Sequence, residues 1–180
     1  DDQLVERITT TLIQQIDTLS NIATAFSNFA KMPQPIPVKV DLKELLKQMA
    51  QLYNEGVDIG VNAEDETYYV LADKDQLIGI FSNLLKNAVQ SIPAERRGII
   101  GITLRRERAI ISVEIVDNGI GIPEDQRDKI FIPNFTTKSS GMGLGLAIVR
   151  NIVEEASGKI WFTSIYGSGS SFFVSLPEAG

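Results

Sequence analysis

The sequence of 180 residues contains neither cysteine nor histidine. Without cysteine there can be no disulfide and no thiolate metal site. Without histidine, imidazole acid–base catalysis and the usual zinc ligand sets are excluded as well. No apolar run approaches membrane-spanning length, and no signal peptide is visible. A cytoplasmic location is therefore expected for these residues, and a membrane anchor elsewhere in a parent chain is compatible with it. A basic surface is also missing. Seventeen Lys and Arg against 23 Asp and Glu leave a net charge of −6, which argues against nucleic acid as a partner. An acidic chain can still hold a polyphosphate where Mg2+ and backbone N–H groups supply a local positive field. The hydrophobic content, 43%, is enough for a core and speaks against disorder. The length suits one domain with an appendage.

Residues 1–31 read as a helix. Val5, Leu12, Leu19 and Phe26 recur at heptad spacing, with Ile8, Ile22 and Phe29 following three positions behind their partners. Gln15 interrupts the stripe once, and Ile16, Ala23 and Ala30 widen it, which suits a helical bundle. The alternative is an amphipathic helix folded back on its own domain. The pattern starts abruptly, so an excised fragment is expected. Residues 32–40, with Pro33, Pro35 and Pro37, cannot continue a helix and read as an extended linker to a domain over 41–180. Asp41 then caps a helix to about Asn54, with Leu42, Leu45, Leu46, Met49 and Leu52 on its buried face. Short strands follow at Val57–Val61 and Tyr68–Leu71, and Asp73 caps the next helix.

That helix, predicted over 74–91, places Leu77, Ile80, Phe81, Leu84, Leu85, Ala88 and Val89 on one arc. Asn87 lies at one edge of the arc and Asn83 just beyond it. Two amides one turn apart at a core boundary can face a shared ligand, and an amide oxygen suits Mg2+. Taken alone, two asparagines more often mark a solvated face.

The centre of the chain is residues 111–146. Ile111, Val113 and Ile115 alternate as a strand, and Asp117 continues their phase, so a carboxylate is aimed inward where the strand ends. A buried carboxylate needs donors, and the exocyclic amine of a purine is one. Taken alone, Asp117-Asn118-Gly119 more often means that the aspartate only starts a turn. Downstream, Gly141, Gly143 and Gly145 open a helical run from Leu146, where glycines let backbone N–H groups approach an anion. Gly98–Arg106 and Ala109–Asp117 form a predicted hairpin through Glu107-Arg108. Gly158 ends the last helix, and Lys159–Tyr166 with Ser171–Leu176 close the sheet around Gly167-Ser168-Gly169.

Three motifs stand in order: Asp117-x-Gly119-x-Gly121, Phe131-x-Pro-x-Phe135-Thr-Thr137-Lys138 and Gly141-Met142-Gly143-Leu144-Gly145-Leu146. Together they resemble the catalytic ATP-binding domain of sensor histidine kinases, within the superfamily of gyrase, heat-shock chaperone and mismatch-repair ATPases. Ser82-Asn83-Leu84-Leu85-Lys86-Asn87-Ala88 fits the same pattern. The resemblance implies an α/β two-layer sandwich, the Bergerat-type fold: a mixed, mostly antiparallel sheet of about five strands under three helices, plus an N-terminal bundle helix. It implies ATP and Mg2+ as cofactors. Asp117 would read the adenine amine, with Gly119, Gly121 and Ile122 beside it. Asn87 would hold the metal and Asn83 would lie near the phosphates. Thr137, Lys138 and residues 141–146 would receive the phosphates under a lid anchored by Phe131 and Phe135. Ser171 matches a position, usually threonine, that supports the base. Gln90 and Ser91 depart from the common Lys and Tyr, which leaves their contacts open.

Gyrase-like relatives carry a glutamate general base where Asn83 stands, and an amide cannot accept that proton. This favours phosphoryl transfer to a delivered nucleophile over hydrolysis. By the resemblance, the acceptor is a histidine on a bundle helix that this chain lacks. The partners implied are that histidine-bearing helix, a second copy in a homodimer of the full protein, and a response regulator. Two alternatives stand beside this reading. One is a serine protein kinase or ATPase of the same superfamily, and the other is a degenerate, non-catalytic dimerisation or interaction module.

Overall fold

The computed structural model describes residues 2–30, 34–133 and 143–180. Helix α1 spans Asp2–Ala30. The rest of the chain runs β1 (Val38–Asp41), α2 (Leu42–Tyr53), β2 (Val57–Ala63), β3 (Tyr69–Ala72), α3 (Lys74–Ser91), β4 (Gly98–Glu107), β5 (Ile110–Asp117), a 3-10 turn (Glu124–Lys129), α4 (Gly145–Glu155), β6 (Lys159–Ile165) and β7 (Gly169–Pro177). Five strands form one sheet in the order β2-β4-β5-β7-β6. Among the described residues only β2 and β4 pair in parallel, joined through β3 and α3; the other pairs are antiparallel. This is the mixed, mostly antiparallel sandwich expected of the sequence.

The layers follow from alternation. Ile100, Ile102 and Leu104 of β4, Ile111, Val113 and Ile115 of β5, and Phe172, Val174 and Leu176 of β7 are all buried. They meet Leu45, Leu46 and Met49 of α2, Leu77, Ile80, Phe81, Leu84 and Leu85 of α3, and Val149, Ile152 and Val153 of α4. Asp41 and Asp73 accept from the first-turn N–H groups of Lys43 and Gln76, which starts α2 and α3 at the positions the sequence marks.

Four local expectations are corrected. The stretch after the prolines is a strand where a linker was expected, Val38–Asp41 pairing with Tyr69–Ala72 outside the main sheet. Leu52 is 79% exposed, because α2 turns it away from the sheet. The β4–β5 turn falls at Arg108-Ala109, one residue late, with Arg108 at φ 56°. Gly158 is not the left-handed residue that ends α4. Ser157 is, at φ 59°, and the Gly158 and Ser157 N–H groups close back on Val153 and Glu154 carbonyls.

Leu4, Val5, Ile8, Leu12, Ile13, Ile16 and Leu19 of α1 are each more than half exposed. In these residues the stripe of α1 is not buried against the rest of the chain. Among the described residues, no helix is long and apolar enough to cross a membrane.

Candidate functional site

Asp117 ends β5 on its inward face, 5% exposed. Two donors reach the same carboxylate oxygen: Ser91 Oγ at 2.9 Å and Gly119 N at 2.8 Å, both to Oδ1. Ser91 is the last residue of α3, and its hydroxyl also lies 2.7 Å from its own-helix acceptor, Ala88 O. The turn after Asp117 is fastened on both sides. Asn118 Oδ1 accepts from Ile99 N at 2.9 Å, and its Nδ2 donates to Arg97 O at 2.8 Å. Ile120 N donates to Ser91 O at 2.9 Å, and Gly167 N donates to Ile120 O at 2.6 Å. Gly119 is required by this closeness, because a Cβ there would stand 1.9 Å from Ser91 Oγ. Gly121 follows at φ 71°, against the end of β6. Ile122 N donates to Ser164 Oγ at 2.7 Å.

The other end of the site is the start of α4. Gly143, at φ 67°, and Leu144 lead into Gly145, and Leu146 packs against the core. A Cβ at Gly145 would lie 2.5 Å from Asn83 Oδ1, so glycine is what lets α4 begin against α3. Asn83 Nδ2 donates to Gly79 O at 3.0 Å. Unlike α2 and α3, α4 has no side-chain cap among the described residues and no acidic residue in its first turn. Its leading N–H groups keep the partial positive charge of a helix N-terminus.

Helix α3 joins the two ends. Asn83, Asn87 and Ser91 follow one another at i, i+4 spacing on one side of it, all half-buried. Asn83 touches the start of α4, Ser91 touches Asp117, and Asn87 stands between them. Eight residues of helix separate the ends by about 12 Å. The described residues thus form an elongated polar seam with a carboxylate at one end and a glycine-opened helix N-terminus at the other.

Ser171 is not on this seam. It pairs with Val116 on the outer face of the sheet, because inward positions of β7 are the even-numbered ones: Phe172, Val174, Leu176. Asp117's cross-strand partner is Ser170, which is buried, with its Oγ 2.9 Å from Ser164 Oγ. The same alternation, read from the sequence, points to Ser170. Phe131 packs edge-on to Phe162, with ring centroids 6.0 Å apart, and holds the chain to the core just before the glycine-rich stretch. Phe135, Thr137, Lys138, Gly141 and Met142 lie outside the described residues.

Residues 72–180 match the family described as Histidine kinase-, DNA gyrase B-, and HSP90-like ATPase. The sensor histidine kinase ZraS of Escherichia coli K12 is 34% identical over 171 residues, which cover 92% of this chain and 36% of ZraS. Solved structures of histidine kinases are similar as well, among them the following two. Full-length ShkA in complex with AMPPNP has a TM-score of 0.75 and 26% identity, covering 92% of this chain and 36% of ShkA. Histidine kinase ThkA in complex with the response regulator TrrA has a TM-score of 0.74 and 27% identity, covering 93% and 49%. The chain belongs to this ATPase family, and its relatives place it among the ATP-binding catalytic domains of sensor histidine kinases. It spans little more than a third of ZraS.

Proposed function

We propose that this chain binds Mg-ATP along the seam and serves as the part of a two-component sensor kinase that passes the γ-phosphoryl group to a histidine. The observation that carries the reading is the pairing, along one helix, of a buried carboxylate with a glycine-opened helix N-terminus that no described side chain caps. That polarity fits a nucleotide, whose base donates a hydrogen bond and whose tail is anionic. Asp117 would accept from the adenine amino group, with Gly119, Gly121 and Ile122 forming the turn beside the base. Ser170, rather than Ser171, would supply the hydroxyl on the base side. Gly143, Leu144, Gly145 and Leu146 would receive phosphate oxygens, joined by Thr137, Lys138, Gly141 and Met142, with Asn83 beside them.

The donor set suits Mg2+ in a particular way. Among the described residues no group of three acidic, His or Cys side chains gathers to cage a metal. An ion held here would take the Asn87 amide oxygen and otherwise the substrate phosphates and water, the usual arrangement for Mg2+. When bound, it neutralises phosphate charge. The chain's own residues align the phosphate tail and offer N–H groups to it, and positioning of that kind is most of phosphoryl-transfer catalysis. Neither Asn83 nor Asn87 can act as a base toward water, which favours transfer over hydrolysis. The exposed stripe of α1 fits a dimeric bundle with a histidine-bearing helix, and a response regulator would take the phosphoryl group onward.

Titration calorimetry with ATP, with and without Mg2+, is the first test. Saturable, Mg2+-sensitive binding is expected. Labelled γ-phosphate should then appear on a separately supplied histidine-bearing bundle helix and not on this chain, which has no histidine. A folded sample that binds no ATP would favour the interaction-module reading instead.

A further inference from the structure

Arg96 lies outside every motif, in the connection between α3 and β4, and its side chain is exposed. A turn closed by Arg96 N on Pro93 O, 3.0 Å, sets its direction. Its guanidinium then reaches three backbone carbonyls on two different turns. Nη1 donates to Asn118 O and to Gly119 O, the latter at 2.7 Å, and Nη2 donates to Gly167 O at 3.2 Å. Asn118 and Gly119 form the turn that gives Asp117 its backbone donor. Gly167 is the tip of the β6–β7 hairpin, whose N–H bonds Ile120 O at 2.6 Å. No single carbonyl here requires a cation. The Gly167–Ile120 backbone hydrogen bond already joins the two turns, and a planar fork that ties three carbonyls adds the side-chain brace across that joint.

The geometry points to Arg96 as a positioning residue for purine recognition: it clamps the 117–121 turn to the β6–β7 turn and so fixes the carboxylate of Asp117 against the base. This rests on the adenine-reading role proposed for Asp117. The clamp acts at the base end and not at the start of α4, so its loss should be felt by the base and not by the phosphates. Arg97, the next residue, is the natural control. Its side chain is exposed and pairs with Asp58 at 2.6 Å, and only its backbone carbonyl meets the Asp117 turn, a contact that Arg97→Gln keeps.

The test compares the intact protein with Arg96→Gln, Arg96→Lys and Arg97→Gln. It measures Kd for ATP, ADP and ITP, in which a carbonyl replaces the exocyclic amine. Arg96→Gln should weaken ATP and ADP by the same factor, about three- to tenfold, and should shrink the ATP-over-ITP preference by a similar factor. Arg96→Lys should fall between, since one ammonium cannot span three carbonyls in a plane. Arg97→Gln should change nothing. A role in stability alone would lower the melting temperature while leaving the ATP-to-ITP ratio intact, and that result overturns the proposal. So does a loss graded with phosphate number, which would mean long-range attraction. If the unaltered protein does not distinguish ATP from ITP, the Asp117 reading itself falls. If it does distinguish them and Arg96→Gln keeps the full preference, only the clamp is wrong.

Discussion

Ser91 and Asp117, 26 positions apart in sequence, meet at 2.9 Å, where the end of α3 touches the end of β5. Gly119 N reaches the same carboxylate oxygen. An asparagine in place of Asp117 can keep both donors only by giving them its single oxygen. Its NH2 then takes the place of the second carboxylate oxygen and, in the proposed binding mode, would oppose the amino group of adenine. Asp117→Asn is nearly isosteric, so the fold should survive. ATP affinity should fall by roughly a hundredfold or more. Calorimetry beside a thermal melt separates the two effects, and a variant that binds ATP normally would remove Asp117 from the site.

Gly119 is held to its identity by Ser91. A methyl group on Gly119 meets Ser91 Oγ at 1.9 Å and Ser91 Cβ at 2.7 Å, so Gly119→Ala should cost about 1–3 kcal/mol in overpacking. Ser91→Gly removes both of those atoms. The double variant should recover part of the loss, leaving the 2.7 Å approach to Asp117 Oδ1. Denaturant unfolding of the four members of the cycle gives the coupling; purely additive losses would mean that the clash is relieved elsewhere.

Periodicity in the sequence carries the sheet, α2 to α4 and Asp117 as an inward carboxylate, because each depends on alternation or helical phase within one segment. The Asp41 and Asp73 caps are readable for the same reason. What pairs with what is not local. Val38–Asp41 is a strand only because Tyr69–Ala72 lies beside it, and the prolines before it give the opposite signal. Ser91 and Arg96 take their meaning from contacts 22 to 71 positions away. Ser170 is legible in the sequence, since the parity of Phe172, Val174 and Leu176 places it inward. The family pattern points one residue further, to Ser171, and on an alternating strand one residue is the difference between the two faces.

Leu85 and Leu52 test how the α2–α3 layer is packed. Leu85 is fully buried between helices and sheet, while Leu52 sits on a well-formed helix yet 79% exposed. Leu85→Ala should destabilise by about 2–5 kcal/mol through lost transfer energy and a cavity. Leu52→Ala should stay within about 0.5 kcal/mol, as exposed substitutions do. Equilibrium urea curves decide it. Equal losses at the two sites would mean that Leu52 is covered in solution, for instance by a partner.

Asp73 ties the residues before β1 to the start of the helix that carries Asn83, Asn87 and Ser91. Its Oδ2 accepts from Ile36 N at 2.9 Å, and its Oδ1 caps α3 through Gln76 N at 3.0 Å. The Ile36 hydrogen bond first, then that of Gln76, holds the carboxyl below its ordinary value of 3.8, against a smaller opposing effect of burial. Because the folded-state value is the lower one, the contribution to stability is present above the unfolded value. It is lost as pH falls through the folded one. An asparagine in place of Asp73 would still cap α3 but would give the Ile36 N–H no carboxylate oxygen. Asp73→Asn should therefore melt below the unaltered protein at neutral pH, and the gap should narrow as pH drops below about 4. Melting curves across that range read the gap directly. A gap that stays constant into acid would assign the effect to geometry and not to the charge of Asp73.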